Sequence, residues 1–199
     1  MKLWSLQSPK AYARLLQDGV LRGDGRHSER EFREPYQWMK QQMKERVPSY
    51  KGGTLLWAWH TPKPDLRRME HYTGSNYGIR LEITMDPSKV LLSDYDAWHH
   101  VLNKMYLPLT YTEYVEHASR WDTALDRLKA QGGQYREAMA DEFRSEIRST
   151  WTRCFDLPAM QRLLTDPDYG HDGHKQYVQA VFEEIHLKDV TKVTRYTPR

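Results

Sequence analysis

The sequence predicts an α+β domain. Three observations carry this expectation: strand-like segments gather at the two ends of the chain, helix-like segments fill its middle, and turn and cap residues separate them. A sheet drawn from both ends is completed late. Within a single domain of 199 residues, 1–93 and 176–199 are therefore expected to form the sheet core, and 94–175 a helical insertion.

Lys2 to Gln7 reads as the first strand. A helix follows: Ser8 can cap it, Pro9 suits its first position, Gly19 is placed to end it, and Tyr12, Leu15 and Leu16 give it an apolar face. Gly23-Asp24-Gly25 is a loop. Glu34 to Arg46 reads as a helix with Pro35 in its first turn and Tyr36, Met39 and Met43 on one side. Leu55 to Trp59 is an apolar run too short for a helix, so a buried strand is expected there. The segment from Thr61 to Ser75, rich in proline and charge, reads as a loop. Tyr77, Ile79, Leu81, Ile83 and Met85 alternate with Gly78, Arg80, Glu82 and Thr84, the clearest strand of the chain. Val90 to Leu92 is a short extended piece, and Ser93 is expected to open a helix through Trp98, Val101 and Leu102. Met139, Phe143, Ile147 and Trp151 recur every four residues, a helical stripe. Thr165 to Gly173 reads as a polar loop, Val178 to Leu187 as one strand and Val190 to Tyr196 as the last.

Apolar residues make up 39% and charged residues 29%, with a net charge of +3, which permits an anionic ligand without demanding nucleic acid. Cys154 is the sole cysteine, so a disulfide within the chain and a cysteine-based zinc site are excluded, and a cytoplasmic address is the simpler reading. No signal-peptide core follows Met1, and no apolar run reaches the ~18 residues of a membrane span. Seven Trp and thirteen Tyr are many for one small domain; aromatic side chains fill cores, but they also stack on planar ligands.

Several constellations invite chemistry. His171-Asp172-Gly173-His174 is metal-like in composition, but no helix fixes its imidazoles and no further ligands are spaced to join them, so no metal is expected. His99 and His100 are adjacent on a helix and point apart. Cys154 has no fixed histidine partner and reads as a buried thiol. Neither a glycine-rich phosphate loop nor a nucleophile elbow is present. Lys63, Arg67, Arg68 and His71 form one basic group and Lys192, Arg195 and Arg199 another; each suits a solvated face or a phosphate. Glu183 and Glu184 fall on opposite faces of the expected strand and so cannot work as an acid–base pair from one side. Trp57 and Trp59 share a face, which leaves core and cleft roles both open.

The opening Leu3-Trp4-Ser5-Leu6-Gln7-Ser8, with a helix carrying Leu15-Leu16 and then Gly19-Val20-Leu21, resembles the start of ADP-ribosyltransferases of the poly(ADP-ribose) polymerase and diphtheria-toxin type, where the strand reads Leu-Trp-His-Gly-Ser. Leu55 to Trp59 is similar to that family's tyrosine-bearing strand, and Ile79 to Leu92 to its next strand and extension. Val178 to Ile185, with Val190 and Val193, looks like its last strands, which begin with the catalytic glutamate. This likeness covers about half the chain. Nearly the whole chain resembles a bacterial family, domain of unknown function 3841, through its Leu-Trp-x-x-Gln start (Leu3 to Gln7), its Trp-Ala-Trp strand (Trp57 to Trp59) and the segment Leu91 to His99. That second likeness carries no activity.

The transferase resemblance implies a split antiparallel sheet, NAD as substrate, and a protein or nucleic acid as acceptor. It puts Ser5 at the family's histidine, Trp57 at its tyrosine and Gln179 at its glutamate. A neutral Gln179 can hold a ribose hydroxyl but supplies no charge to the state in which nicotinamide leaves. Losing one such group costs about 10²–10³ in rate, so another acid, Glu183 or Glu82, would have to reach the cleft, or the cleft only binds. The expected site is thus Gln179 and Glu183 as the catalytic pair, with Trp4, Ser5, Gln7, Trp57 and Trp59 holding NAD, in a cleft between the first strand and the Gln179 strand. The alternatives are a non-catalytic module for nucleotides or nucleic acid on the same fold, and a partner-binding role for the insertion through Tyr106, Tyr111 and Tyr114.

Overall fold

A computed structural model describes residues 1–24, 32–61, 77–130, 135–170 and 175–197, with the side chains of 135–141 outside the description. It is mixed α and β with two compact units, Met1–Ser93 with Tyr177–Arg199, and Asp94–Gln176.

The first unit is built on β1 (Lys2–Gln7), β2 (Val20–Arg22), β3 (Leu56–Thr61), β4 (Gly78–Thr84), β5 (Leu91–Asp94), β6 (Val178–Phe182), β7 (Glu184–His186) and β8 (Val190–Tyr196), with helices α1 (Pro9–Asp18) and α2 (Arg33–Arg46). Six strands form one sheet in the order β5-β6-β3-β1-β4-β8, and β2 pairs with β7 in a second, two-stranded sheet. The pairings β6–β3, β3–β1, β1–β4 and β4–β8 are all antiparallel.

Register assigns the two faces of the large sheet. Leu3, Leu81, Ile83, Ala58 and Phe182 face one way, and join Leu15 of α1, Leu21 of β2 and Ile185 of β7 in the core. Trp4, Trp57, Trp59, Glu82 and Gln179 face the other way. The Tyr36 ring of α2 meets Trp57 edge to face on this second side, with centroids 6.1 Å apart.

Local signals place α1 as expected. Ser8 accepts from the Ala11 N–H at 3.1 Å, Pro9 opens the helix, and Gly19 ends it at φ 70°, a left-handed backbone that glycine adopts without strain. Two expectations need correction. Ser93 does not open the following helix; it lies within β5, and the Asp94 carboxylate caps that helix by accepting from the Ala97 N–H. The strand expected over Val178 to Leu187 is two strands in different sheets, broken at Glu183.

The second unit holds α3 (Tyr95–Leu102), α4 (Tyr111–Ala130), α5 (Tyr135–Thr150) and α6 (Leu157–Leu164). Arg120 with Glu146 and Arg127 with Glu142 tie α4 to α5, and the Trp121 and Phe143 rings pack between them. Burial pushes the Asp94 carboxyl upward despite the Ala97 N–H that it accepts.

Candidate functional site

The strands that carry the expected site are neighbours. β6, β3 and β1 are adjacent in the large sheet, and Gln179, Trp59 and Trp4 stand directly opposite one another across them, in one row on one face. Trp57 lies on the same face, two residues along β3. Trp4 and Trp59 are half-buried. The Lys2 ammonium lies 5.6 Å from the Trp4 ring centroid, and the Tyr177 ring meets Trp59 edge to face at 6.0 Å. Gln179 is 6% exposed, and its Nε2 donates to Ser93 Oγ at 3.1 Å.

Ser5 and Gln7 do not join this row. They occupy the core face of β1, one residue out of phase with Trp4, and β3 lies between Ser5 and the Gln179 strand. Ser5 is 0% exposed; its hydroxyl donates to the Trp57 carbonyl at 3.1 Å and accepts from Gln7 Nε2 at 2.8 Å. This closed chain of hydrogen bonds stitches β1 to β3 and leaves no hydroxyl aimed at a ligand. The first strand and the Gln179 strand therefore do not enclose a cleft through Ser5.

Glu183, the second residue of the expected catalytic pair, is engaged by backbone amides. Its Oε1 accepts from the Gly53 N–H at 2.7 Å and its Oε2 from the Lys51 N–H at 3.0 Å, so the carboxylate fastens the loop before β3 to the bend after β6. Residue 53 is glycine, and a Cβ there would lie 2.5 Å from Oε1, so a larger residue would make the carboxylate shift. The Tyr50 hydroxyl donates to the Gly53 carbonyl at 2.6 Å, and its phenol is pushed upward by burial and by the Glu183 charge. Glu82, the other acid considered, is buried on the row's face and pairs with Lys2 at 2.8 Å.

Sequence reasoning missed the next residue in β3. His60 Nδ1 is buried without a hydrogen-bond partner among the described residues, and burial lowers the imidazole pKa. The folded chain thus takes up this proton less readily than the unfolded one, so His60 contributes stability above about pH 6.5 that is lost as pH falls through its lowered value. The melting temperature is expected to drop between pH 7.5 and 5.5, and to drop less in His60→Gln; equal slopes in a calorimetric pH series would remove His60 from the account.

Other expectations fall elsewhere. His99 and His100 do point apart, bonding the carbonyls of Tyr95 and Tyr106. Cys154 is buried. Tyr114 packs against both Tyr111 and Tyr169, while Met105, Tyr114 and Val115 stay exposed. The groups at Lys63, Arg67, Arg68 and His71 and at 171–174, together with Arg199, lie outside the described residues. Among the described residues no cluster of three metal-ligating side chains occurs, and no helix is long and apolar enough to cross a membrane.

No curated protein sequence and no solved structure gives a significant match. One family does: the description Domain of unknown function (DUF3841) fits residues 2–191, which span β1 through the start of β8 and so include the whole Trp4–Trp59–Gln179 row. The chain belongs to the DUF3841 family.

Proposed function

We propose that the chain is an ADP-ribosyltransferase-like protein that binds NAD or a related dinucleotide on the indole-lined face of its large sheet. One observation carries this reading. The strands that resemble the family's histidine-, tyrosine- and glutamate-bearing strands are β1, β3 and β6, and these are three adjacent strands whose facing residues, Trp4, Trp59 and Gln179, form a single cross-strand row. Strands far apart in sequence had many other orders open to them. Trp4 and Trp59 offer indole surface to the planar rings, and Gln179 offers an amide to a ribose hydroxyl. Ser5 and Gln7 lie on the opposite face of β1 from this row, and in this reading Trp4 takes the role that the resemblance assigns to Ser5.

Bound NAD would bring a glycosidic bond activated by a cationic nicotinamide leaving group. Gln179 favours the second reading, a module that binds without turnover. It is neutral, and its Nε2 is already given to Ser93. Glu183 is held by two backbone amides and does not replace it.

Thermal unfolding with and without NAD, combined with an assay of released nicotinamide, separates the readings. At a concentration about tenfold above Kd, NAD is expected to raise the melting temperature by about 3–5 °C, and less in Trp59→Ala. Gln179→Glu is expected to raise nicotinamide release by about 10²-fold over a near-background wild type. Stabilisation without release from either protein favours the binding module; neither effect removes NAD from the account.

A further inference from the structure

The outer half of the same face, on β1, β4 and β8, carries three polar atoms that no described residue satisfies. Trp4 Nε1, Arg80 Nε and Thr194 Oγ1 are each buried and without a hydrogen-bond partner. Their strands are neighbours in the order β1-β4-β8. Thr194 stands directly opposite Arg80, and Glu82 opposite Trp4, so Arg80 is the diagonal neighbour of Trp4 on one face. Directly opposed side chains are about 5 Å apart at Cβ and diagonal ones about 7–8 Å, within reach of an indole and a guanidinium.

Three orphaned groups on three adjacent strands are unusual, because more than nine in ten buried polar groups find a partner. Their chemistry is one-sided. Indole and guanidinium N–H groups only donate, and a threonine hydroxyl can donate as well. What completes them is an acceptor.

The charges point the same way. Arg80 is a permanent cation whose side chain is 17% exposed, and it reaches Glu82 only at 4.0 Å. Glu82 is shared with Lys2, which holds it at 2.8 Å, and Lys192 stands opposite Glu82 on β8. Among the described residues, Lys2 and Arg80 approach the Glu82 carboxylate and Lys192 stands at the register position opposite it, a cationic setting that favours an anionic acceptor.

We propose that this face is an oxyanion site for a phosphate group, held by Arg80 Nε, Thr194 Oγ1 and Trp4 Nε1, with Lys2 and Lys192 at its rim. The phosphate can be free or can belong to a nucleotide; the donors read the same group in either case. The site shares Trp4 with the dinucleotide reading but uses neither Trp59 nor Gln179, and does not rest on that reading.

Inorganic phosphate, pyrophosphate and NAD are titrated separately into the whole chain, against chloride at matched ionic strength. Binding is followed by calorimetry and by the indole N–H resonances, with that of Trp4 assigned by Trp4→Phe. Phosphate is expected to bind and to shift the Trp4 indole proton downfield. Thr194→Val, which keeps the shape and removes only the hydroxyl, is expected to weaken binding about 5–10-fold, and Arg80→Gln by more. Lys192→Gln, a substitution at an exposed rim position, keeps the test valid should Arg80→Gln not fold, and is expected to weaken binding about 2–3-fold at low salt. A phosphate affinity that is the same in Thr194→Val and wild type overturns the proposal, as does an unmoved Trp4 resonance. NAD binding that weakens in Thr194→Val assigns the phosphate to the dinucleotide. Phosphate binding with no NAD binding keeps the oxyanion site and overturns the NAD reading instead.

Discussion

Replacing Glu183 with alanine is expected to lower stability by about 2–4 kcal/mol, or the melting temperature by about 4–16 °C, without depending on any ligand. The carboxylate accepts two backbone N–H groups 130 or more residues away in sequence, at 2.7 and 3.0 Å. Hydrogen bonds to a charged acceptor contribute about 1.5–3 kcal/mol each, and their loss leaves the Gly53 and Lys51 amides to find water. Gly53→Ala tests the same clamp from the other side. Its methyl would sit 2.5 Å from Oε1 and 3.1 Å from Cγ of Glu183, so the carboxylate must move off its amides. The two substitutions should therefore not add: Gly53→Ala is expected to cost about 1–2 kcal/mol in wild type and far less in the Glu183→Ala background. Urea unfolding of the four proteins measures this. A catalytic Glu183 predicts the reverse pattern, with stability kept and turnover lost.

The same clamp explains what could be read from the sequence and what could not. Signals confined to a few neighbouring residues were legible. Ser8, Pro9 and Gly19 bound α1 where they were expected to, and the alternation from Tyr77 to Met85 marks β4. The break at Glu183 was not legible, because the apolar pattern runs through it and the bend is held by amides at residues 51 and 53. β2 and β7 are three residues each, too short for any periodic pattern, and each exists by pairing with the other. The three strands that carry the expected site residues are adjacent in the sheet, an order that no local pattern in the sequence specifies. The side chains were harder. The resemblance assigns Ser5, which lies on the opposite face of β1 from Trp4 and the row, because one residue along a strand exchanges the two faces of the sheet. Only the register, Trp4 opposite Trp59 and Trp59 opposite Gln179, decides which side chains share a surface.

Gln179→Glu is expected to turn a pH-independent position into a pH-dependent one. Gln179 is 6% exposed and donates to Ser93 Oγ, so a carboxylate in its place loses that donor and must rely on the Ser93 hydroxyl turning round to donate. Burial favours the protonated acid and raises its folded pKa above the unfolded value of about 4.3. The folded state then holds the proton more tightly, so stability falls as pH rises from the unfolded pKa to the raised one, and the penalty is complete above it. The variant is expected to be near wild type at about pH 4.5 and about 2–4 kcal/mol less stable at about pH 8. Thermal unfolding across that range checks the slope, with Gln179→Leu as the control that lacks one. A flat difference would mean that the row is open to water, and that Gln179 is not kept neutral by its surroundings. The same proton governs the chemistry. Only the ionised carboxylate can stabilise positive charge at a ribose, so any nicotinamide release gained by Gln179→Glu should rise with pH over the interval in which its stability falls. That opposition gives a physical reason for glutamine here: in a strand buried on both faces, the neutral amide keeps the hydrogen bond to Ser93 and avoids the cost of an unpaired charge.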